Sequence, residues 1–116
     1  MIYYTYKAEE STLEKQFVQL SSNEESVEAH SVGVVLGVCR RVYVSEDDGL
    51  RYAEVYVAGG GGEQAILNTN WSGSPTRFDV VNSRVNPVSS GGIGWIIPEF
   101  PRASKLAGES VYISIY

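Results

Sequence analysis

Histidine, cysteine and methionine each occur once in the 116-residue chain, and those scarcities remove whole classes of chemistry. A standard zinc site takes several Cys or His ligands, and His30 with Cys39 does not supply them. A lone cysteine forms no internal disulfide, and a free thiol fits a reducing compartment or a particle assembled in one. Cys39 ends the apolar run that starts at Val32 and reads as a small buried hydrophobe rather than a reactive thiol. His30 stands in a polar stretch and reads as a solvated loop residue. A serine nucleophile needs a Gly-x-Ser-x-Gly elbow, and the nearest string, Trp71-Ser72-Gly73-Ser74-Pro75, lacks that frame.

Positive charge is scarce as well. Nine Lys and Arg stand against 14 Asp and Glu, for a formal net charge of -5. A domain that grips phosphate carries the opposite balance, so no nucleic-acid partner is expected. The one doublet, Arg40-Arg41, is soon followed by Glu46, Asp47 and Asp48. No apolar run approaches the ~20 residues of a membrane-spanning helix, so no membrane partner is expected. The start, Met-Ile-Tyr-Tyr-Thr-Tyr, has no basic region leading into an apolar one, so no signal peptide is expected. The Gly59–Gly62 run is not followed by Lys-Ser/Thr and is no phosphate-binding loop. Glu46-Asp47-Asp48-Gly49 lacks the alternating oxygen ligands and distal Glu of a calcium loop and reads as a hairpin turn. Glu9-Glu10 and Glu24-Glu25 read as solvated faces. The expectation is a protein without catalytic residues, cofactor or metal.

What the chain does hold is 12 Gly, eight Tyr and abundant Val and Ile, a composition of strands joined by tight turns. Its length suits one domain. Alternation predicts a short strand or extended arm over residues 2–7, with Ile2, Tyr4 and Tyr6 on one side and Tyr3, Thr5 and Lys7 on the other. Strands are predicted at 17–20, 32–39, 52–58, 78–81, 93–97 and 111–116. The run 32–39 reads as buried on both faces, as does 93–97, which places Trp95 in the core. Segments 21–31 and 82–92 read as loops, and Pro101 is expected to stop any helix in the irregular stretch 98–106.

Residues 17–36 lie over residues 78–97 at a constant offset of 61 without a gap. Phe17 falls on Phe78, Ser22 on Ser83, Val27 on Val88 and Gly33 on Gly94. Leu20 falls on Val81, Val32 on Ile93, Val35 on Ile96 and Leu36 on Ile97. Glycine inside a strand marks a bend, a bulge or a close backbone approach, so Gly33 and Gly94 are expected to mark the same bend in two related halves. The organisation predicted is an arm, 1–16, and one β domain, 17–116, made of halves 17–58 and 65–116 with Gly59–Gly62 as a hinge.

Two features suggest binding surfaces. Trp71 beside Ser72-Gly73 is the better placed of the two tryptophans for stacking on a ligand. Ile2, Tyr3, Tyr4 and Tyr6, alternating in a terminal segment, suit strand addition to another chain's sheet.

The second half carries a further likeness. Trp71-Ser72-Gly73-Ser74-Pro75, Phe78-Asp79-Val80-Val81, Asn86-Pro87-Val88, Ser90-Gly91-Gly92-Ile93-Gly94 and Ala107-Gly108-Glu109-Ser110-Val111 together resemble the capsid decoration, or cement, proteins of tailed bacteriophages. The likeness spans residues 71–113, and 17–57 only through the repeat; Pro98-Glu99-Phe100-Pro101 and Gly59–Gly62 depart from it. It implies a mainly β fold, a small β-tulip or sandwich-like barrel of two pseudo-repeated halves with an extended N-terminal arm. It also implies a non-enzymatic virion protein, made in the host cytoplasm, on the outer capsid surface. Such proteins form trimers and bridge major capsid protein subunits, here with Ile2–Tyr6 as the arm. The alternatives are a small β-sandwich module for carbohydrate or a receptor, or another tail or neck component.

Overall fold

A computed structural model describes residues 2–99 and 104–116. Pro101 therefore lies outside the described residues. Among the described residues nine strands form: β1 (Ile2–Ala8), β2 (Phe17–Leu20), β3 (Ser26–Ala29), β4 (Gly37–Val44), β5 (Arg51–Ile66), β6 (Arg77–Val81), β7 (Arg84–Val88), β8 (Gly94–Ile96) and β9 (Ser110–Ile115). Among the described residues there is no helix. The protein is mainly β, and its first half is a closed five-stranded barrel, running β1-β3-β2-β4-β5 and back to β1.

The strands follow from side-chain alternation. In β9, Val111 and Ile113 point inward, and Tyr112 outward. Ala53 and Val55 of β5 point inward and pair across β4 with Val42 and Cys39. The closure of the first barrel rests on β1, which pairs antiparallel with β5 from Ile2↔Ala58 to Lys7↔Tyr52 and parallel with β3 at Lys7↔Ser26 and Ala8↔Val27. This corrects the expected N-terminal arm. Alternating Tyr and Thr suit a sheet whether it belongs to this chain or another, and here residues 2–8 complete their own barrel.

The order repeats in the second half. Strands β5, β9, β8, β6 and β7 lie side by side, and Leu67, just past β5, makes a parallel bridge to Val85 of β7. That bridge stands where β1 meets β3 in the first half. Thus β6, β7, β8 and β9 answer β2, β3, β4 and the leading part of β5. One strand serves both halves: β5 pairs with β1 and β4 up to Ala58, then with β9 from Gly59, with a register shift between Gly59 and Glu63. The glycines read as a hinge lie inside this continuous strand, at the crossing.

The constant offset of 61 holds at Phe17 and Phe78 and then fails. Leu20 pairs with Val27 across the six residues 21–26, whereas Val81 pairs with Arg84 across only Asn82 and Ser83. Asn82 and Ser83 both have positive φ, 51° and 64°, the mark of a tight two-residue hairpin matched to strand twist. Ser22 therefore does not answer Ser83, nor Val27 Val88. Gly33 does not answer Gly94 either. Gly33 lies in an exposed loop at φ 92° with open space where a Cβ would stand, while Gly94 is buried in β8 with that space filled by the Ser114 carbonyl oxygen at 2.1 Å. The close approach in the first half is made by Gly37, 2.0 Å from the Tyr56 carbonyl oxygen on the same measure.

Two loops proved to contain strands. β3 is short and polar, Ser-Val-Glu-Ala, and β7 carries Pro87. Proline is confined to edge strands, and β7 is the last strand of its sheet.

The main core joins both halves. Phe17, Val38 and Tyr56 from the first meet Leu67, Trp71, Phe78, Ile96 and Ile113 from the second. A smaller cluster of Val18, Val27, Cys39, Ala53 and Val55 fills the first barrel. Tyr56 knits the crossing: its hydroxyl donates to the Gly59 carbonyl and accepts the Ile115 N–H at 3.1 Å.

Candidate interaction surface

The two tryptophans occupy the reverse of their expected places. Trp71 is 6% exposed, inside the main core, and its Nε1–H donates to the Pro75 carbonyl at 2.7 Å. A buried indole needs such a partner; the turn 71–75 supplies it and folds over the ring. Trp71 is therefore not a surface stacking residue. Trp95 is 45% exposed. Its neighbours Gly94 and Ile96 point inward, so strand alternation turns Trp95 out. That period-two signal was present in Gly-Trp-Ile, and the uniformly apolar run hid it. On the outer face Trp95 meets Tyr116 edge-on at 5.5 Å, and the Arg77 guanidinium lies over its ring at 5.5 Å.

The run Val32–Cys39 divides. Only Gly37 onward is strand; residues 31–36 are a loop, and Val32 and Val34 are 76% and 82% exposed. With Gln19, Leu20 and Leu36 they line a shallow apolar pocket of about 200 Å³. The positive φ of Gly33 lets the chain turn between the two valines. His30 braces the base of the loop. Its Nε2 lies 3.1 Å from the Gly33 carbonyl oxygen, and its own carbonyl accepts the Ser83 hydroxyl at 2.7 Å. His30 is only partly exposed, rather than fully solvated as expected, and its Nδ1 is a buried atom without a hydrogen-bond partner.

The tyrosine segment splits between two tasks. The Tyr3 hydroxyl donates to Glu63 Oε2 at 2.6 Å and its ring lies against Tyr56. Acceptance by that carboxylate holds the Tyr3 phenol above its ordinary pKa, with desolvation adding to it. Tyr6 packs against the smaller core. Ile2 and Tyr4 face solvent, Tyr4 being 56% exposed.

Among the described residues no three His, Cys, Asp or Glu side chains gather to hold a metal ion. The Cys39 thiol is buried, and desolvation, with the Glu14 carboxylate adding to it, raises its pKa to about 11. A thiol so placed stays protonated and is a poor nucleophile. At the acidic turn, Asp48 accepts the Tyr52 hydroxyl and the Leu50 N–H, which lowers its pKa and raises that of Tyr52. Those carboxylate bonds brace a hairpin. No family model matches the chain, and a search of curated proteins finds no match.

Proposed function

We propose that this is a structural virion protein that decorates and stabilises an icosahedral phage capsid, bridging major capsid protein subunits as a homotrimer. The observation that carries the reading is the loop 31–36, which holds Val32 and Val34 out in solvent beside Leu20 and Leu36. Contiguous exposed apolar surface marks an interaction site. The loop is pinned from both halves, by His30 and by Ser83, so a partner meets a preformed surface and little ordering is required. The sequence likeness to decoration proteins supplies the kind of partner. In this reading the residues available to the capsid are Val32, Val34, Ile2 and Tyr4, while Tyr3, Tyr6 and Trp71 hold the fold. Three linked copies on a threefold site turn weak single contacts into high avidity.

The test is co-sedimentation with assembled shells of a tailed-phage major capsid protein. The protein should sediment with shells and hardly associate with free capsid subunits. Val32→Asp with Val34→Asp should abolish shell binding and leave the circular dichroism spectrum unchanged. Equal binding by the double variant, or none by the wild type, overturns the reading. A carbohydrate module built on Trp71 loses its ring to the core, and Trp95 has the Arg77 guanidinium on its ring.

A further inference from the structure

Arg77 lies over the exposed Trp95 ring on the outer surface. Among the described residues the ion pairs are Arg41–Glu54 and Lys105–Glu99, and neither involves Arg77. The nearest acid along its strand, Asp79, turns its Oδ1 to the Val80 N–H at 2.8 Å. Arg77 is half-buried and held over Trp95, beside Tyr116. A guanidinium laid on an aromatic ring keeps its donor edge available to a carboxylate, and the exposed Trp95 and Tyr116 rings offer apolar area on the same face. The face fits an acidic segment with apolar flanks.

The chain presents such a segment at its other end. The turn between β4 and β5 exposes Glu46, Asp47 and Asp48, and both residues flanking the turn, Val44 and Leu50, are exposed too. Its backbone is fixed from within, by the Ser45 Oγ accepting the Asp47 N–H at 3.2 Å and by Asp48 accepting the Leu50 N–H at 2.9 Å. Asp48 is spent on that bracing and on Tyr52. Among the described residues the Glu46 and Asp47 carboxylates have no ion pair. The turn cannot fold back onto Arg77. From Arg51 to the crossing at Gly59, β5 runs ~26 Å away from it, and Trp95 pairs with Ser114 beyond that crossing.

We infer that the Arg77–Trp95–Tyr116 face receives the Ser45–Leu50 turn of a second copy of this chain. Glu46 and Asp47 meet the guanidinium, and Val44 and Leu50 meet the rings. Each copy has one face and one turn, so the contact is head-to-tail, and it closes into a ring when successive rotations sum to a full circle. This deepens the trimer reading by naming its interface, and rests on the chain associating with itself.

The experiment is sedimentation velocity on the full chain across a range of concentrations and at two salt concentrations. The variants are Arg77→Glu and the double Glu46→Lys/Asp47→Lys, each alone and mixed in equal amounts. All of these side chains lie outside the core, and circular dichroism checks that the fold is kept. Wild type should form an oligomer that weakens with salt. Each variant alone should associate at least about tenfold more weakly, as loss of an interfacial charge pair dictates. The mixture should regain part of the association, because unlike neighbours match in both directions and a three-membered ring of the two variants then has two matched contacts of three, against none in either variant alone. A trimer that survives Arg77→Glu, or a mixture no stronger than its parts, overturns this interface and leaves the trimer reading standing. A wild type that stays monomeric at every concentration overturns both, while shell co-sedimentation still decides capsid binding.

Discussion

Phe17 and Phe78 touch, ring centroids 5.8 Å apart at 45°, and each is fully buried. Each belongs to the first strand of the hairpin in its half, and the pair sits where the two halves meet. The Phe17 N–H adds a backbone bond across the junction, donating to the Ser83 carbonyl at 2.8 Å.

Phe17→Ala and Phe78→Ala should each destabilise the protein by about 3–5 kcal/mol. The double variant should depart from additivity by ~0.5–1.5 kcal/mol, because the rings contact each other. Urea unfolding followed by circular dichroism measures all three. A shared core predicts one transition in the wild type; two separate transitions would show that the halves unfold independently.

The tryptophans should divide stability from exposure. Trp71→Ala removes a core indole and should cost about 3–5 kcal/mol, whereas Trp95→Ala, on the outer face, should stay within ~0.5 kcal/mol of wild type. Iodide quenching of the Trp71→Phe protein should be strong, since Trp95 is then the sole emitter. Quenching of the Trp95→Phe protein should be weak.

The glycines give a backbone test. Gly37→Ala and Gly94→Ala would drive a methyl into the carbonyl oxygens of Tyr56 and Ser114. Each should cost about 3 kcal/mol or more, as overpacking with no escape does. Gly33→Ala has open space and only its positive φ against it, so about 1 kcal/mol is expected. Thermal melts of the three variants rank them.

Cys39 should leave an alkaline signature. Its thiol ionises near 9 when free and near 11 in the fold. Above pH 9 the unfolded chain has lost that proton while the folded one keeps it, so stability falls as pH rises from 9 towards 11. Cys39→Ala should flatten that part of the pH–stability curve relative to wild type. Ellman's reagent at pH 8 should label the native protein far more slowly than the unfolded one. Rapid native labelling would contradict the burial.

Removing residues 2–8 should unfold the first barrel rather than merely release a partner, because β5 would lose its pairing from Tyr52 to Ala58. Tyr4→Ala leaves that pairing in place and isolates any role of the exposed face in binding.

How far the sequence spoke can be judged residue by residue. Strands with clear alternation or compact apolar runs, such as Phe17–Leu20, Phe78–Val81 and Ser110–Ile115, were legible because their side chains sort by face. The duplicated plan was legible at Phe17 and Phe78. It blurred where the first hairpin spends more residues in its turn than Asn82-Ser83 does, since loop length is free to vary once the strands are paired. β3 was hidden by its short polar sequence and β7 by Pro87, which only an edge strand tolerates. The surface residues were the least legible. Val32 and Val34 are apolar yet exposed, and Trp71 and Trp95 differ only in which way the neighbouring backbone turns them. The partner of β1 was equally open, since a strand's alternation does not say whose sheet it joins.

The strand Arg51–Ile66 has a last consequence. The molecule cannot be halved, because a cut between Gly59 and Gly62 leaves each piece with an open seam. A pull on either end travels along this shared ribbon into the opposite lobe. The molecule answers such a load as one short strut.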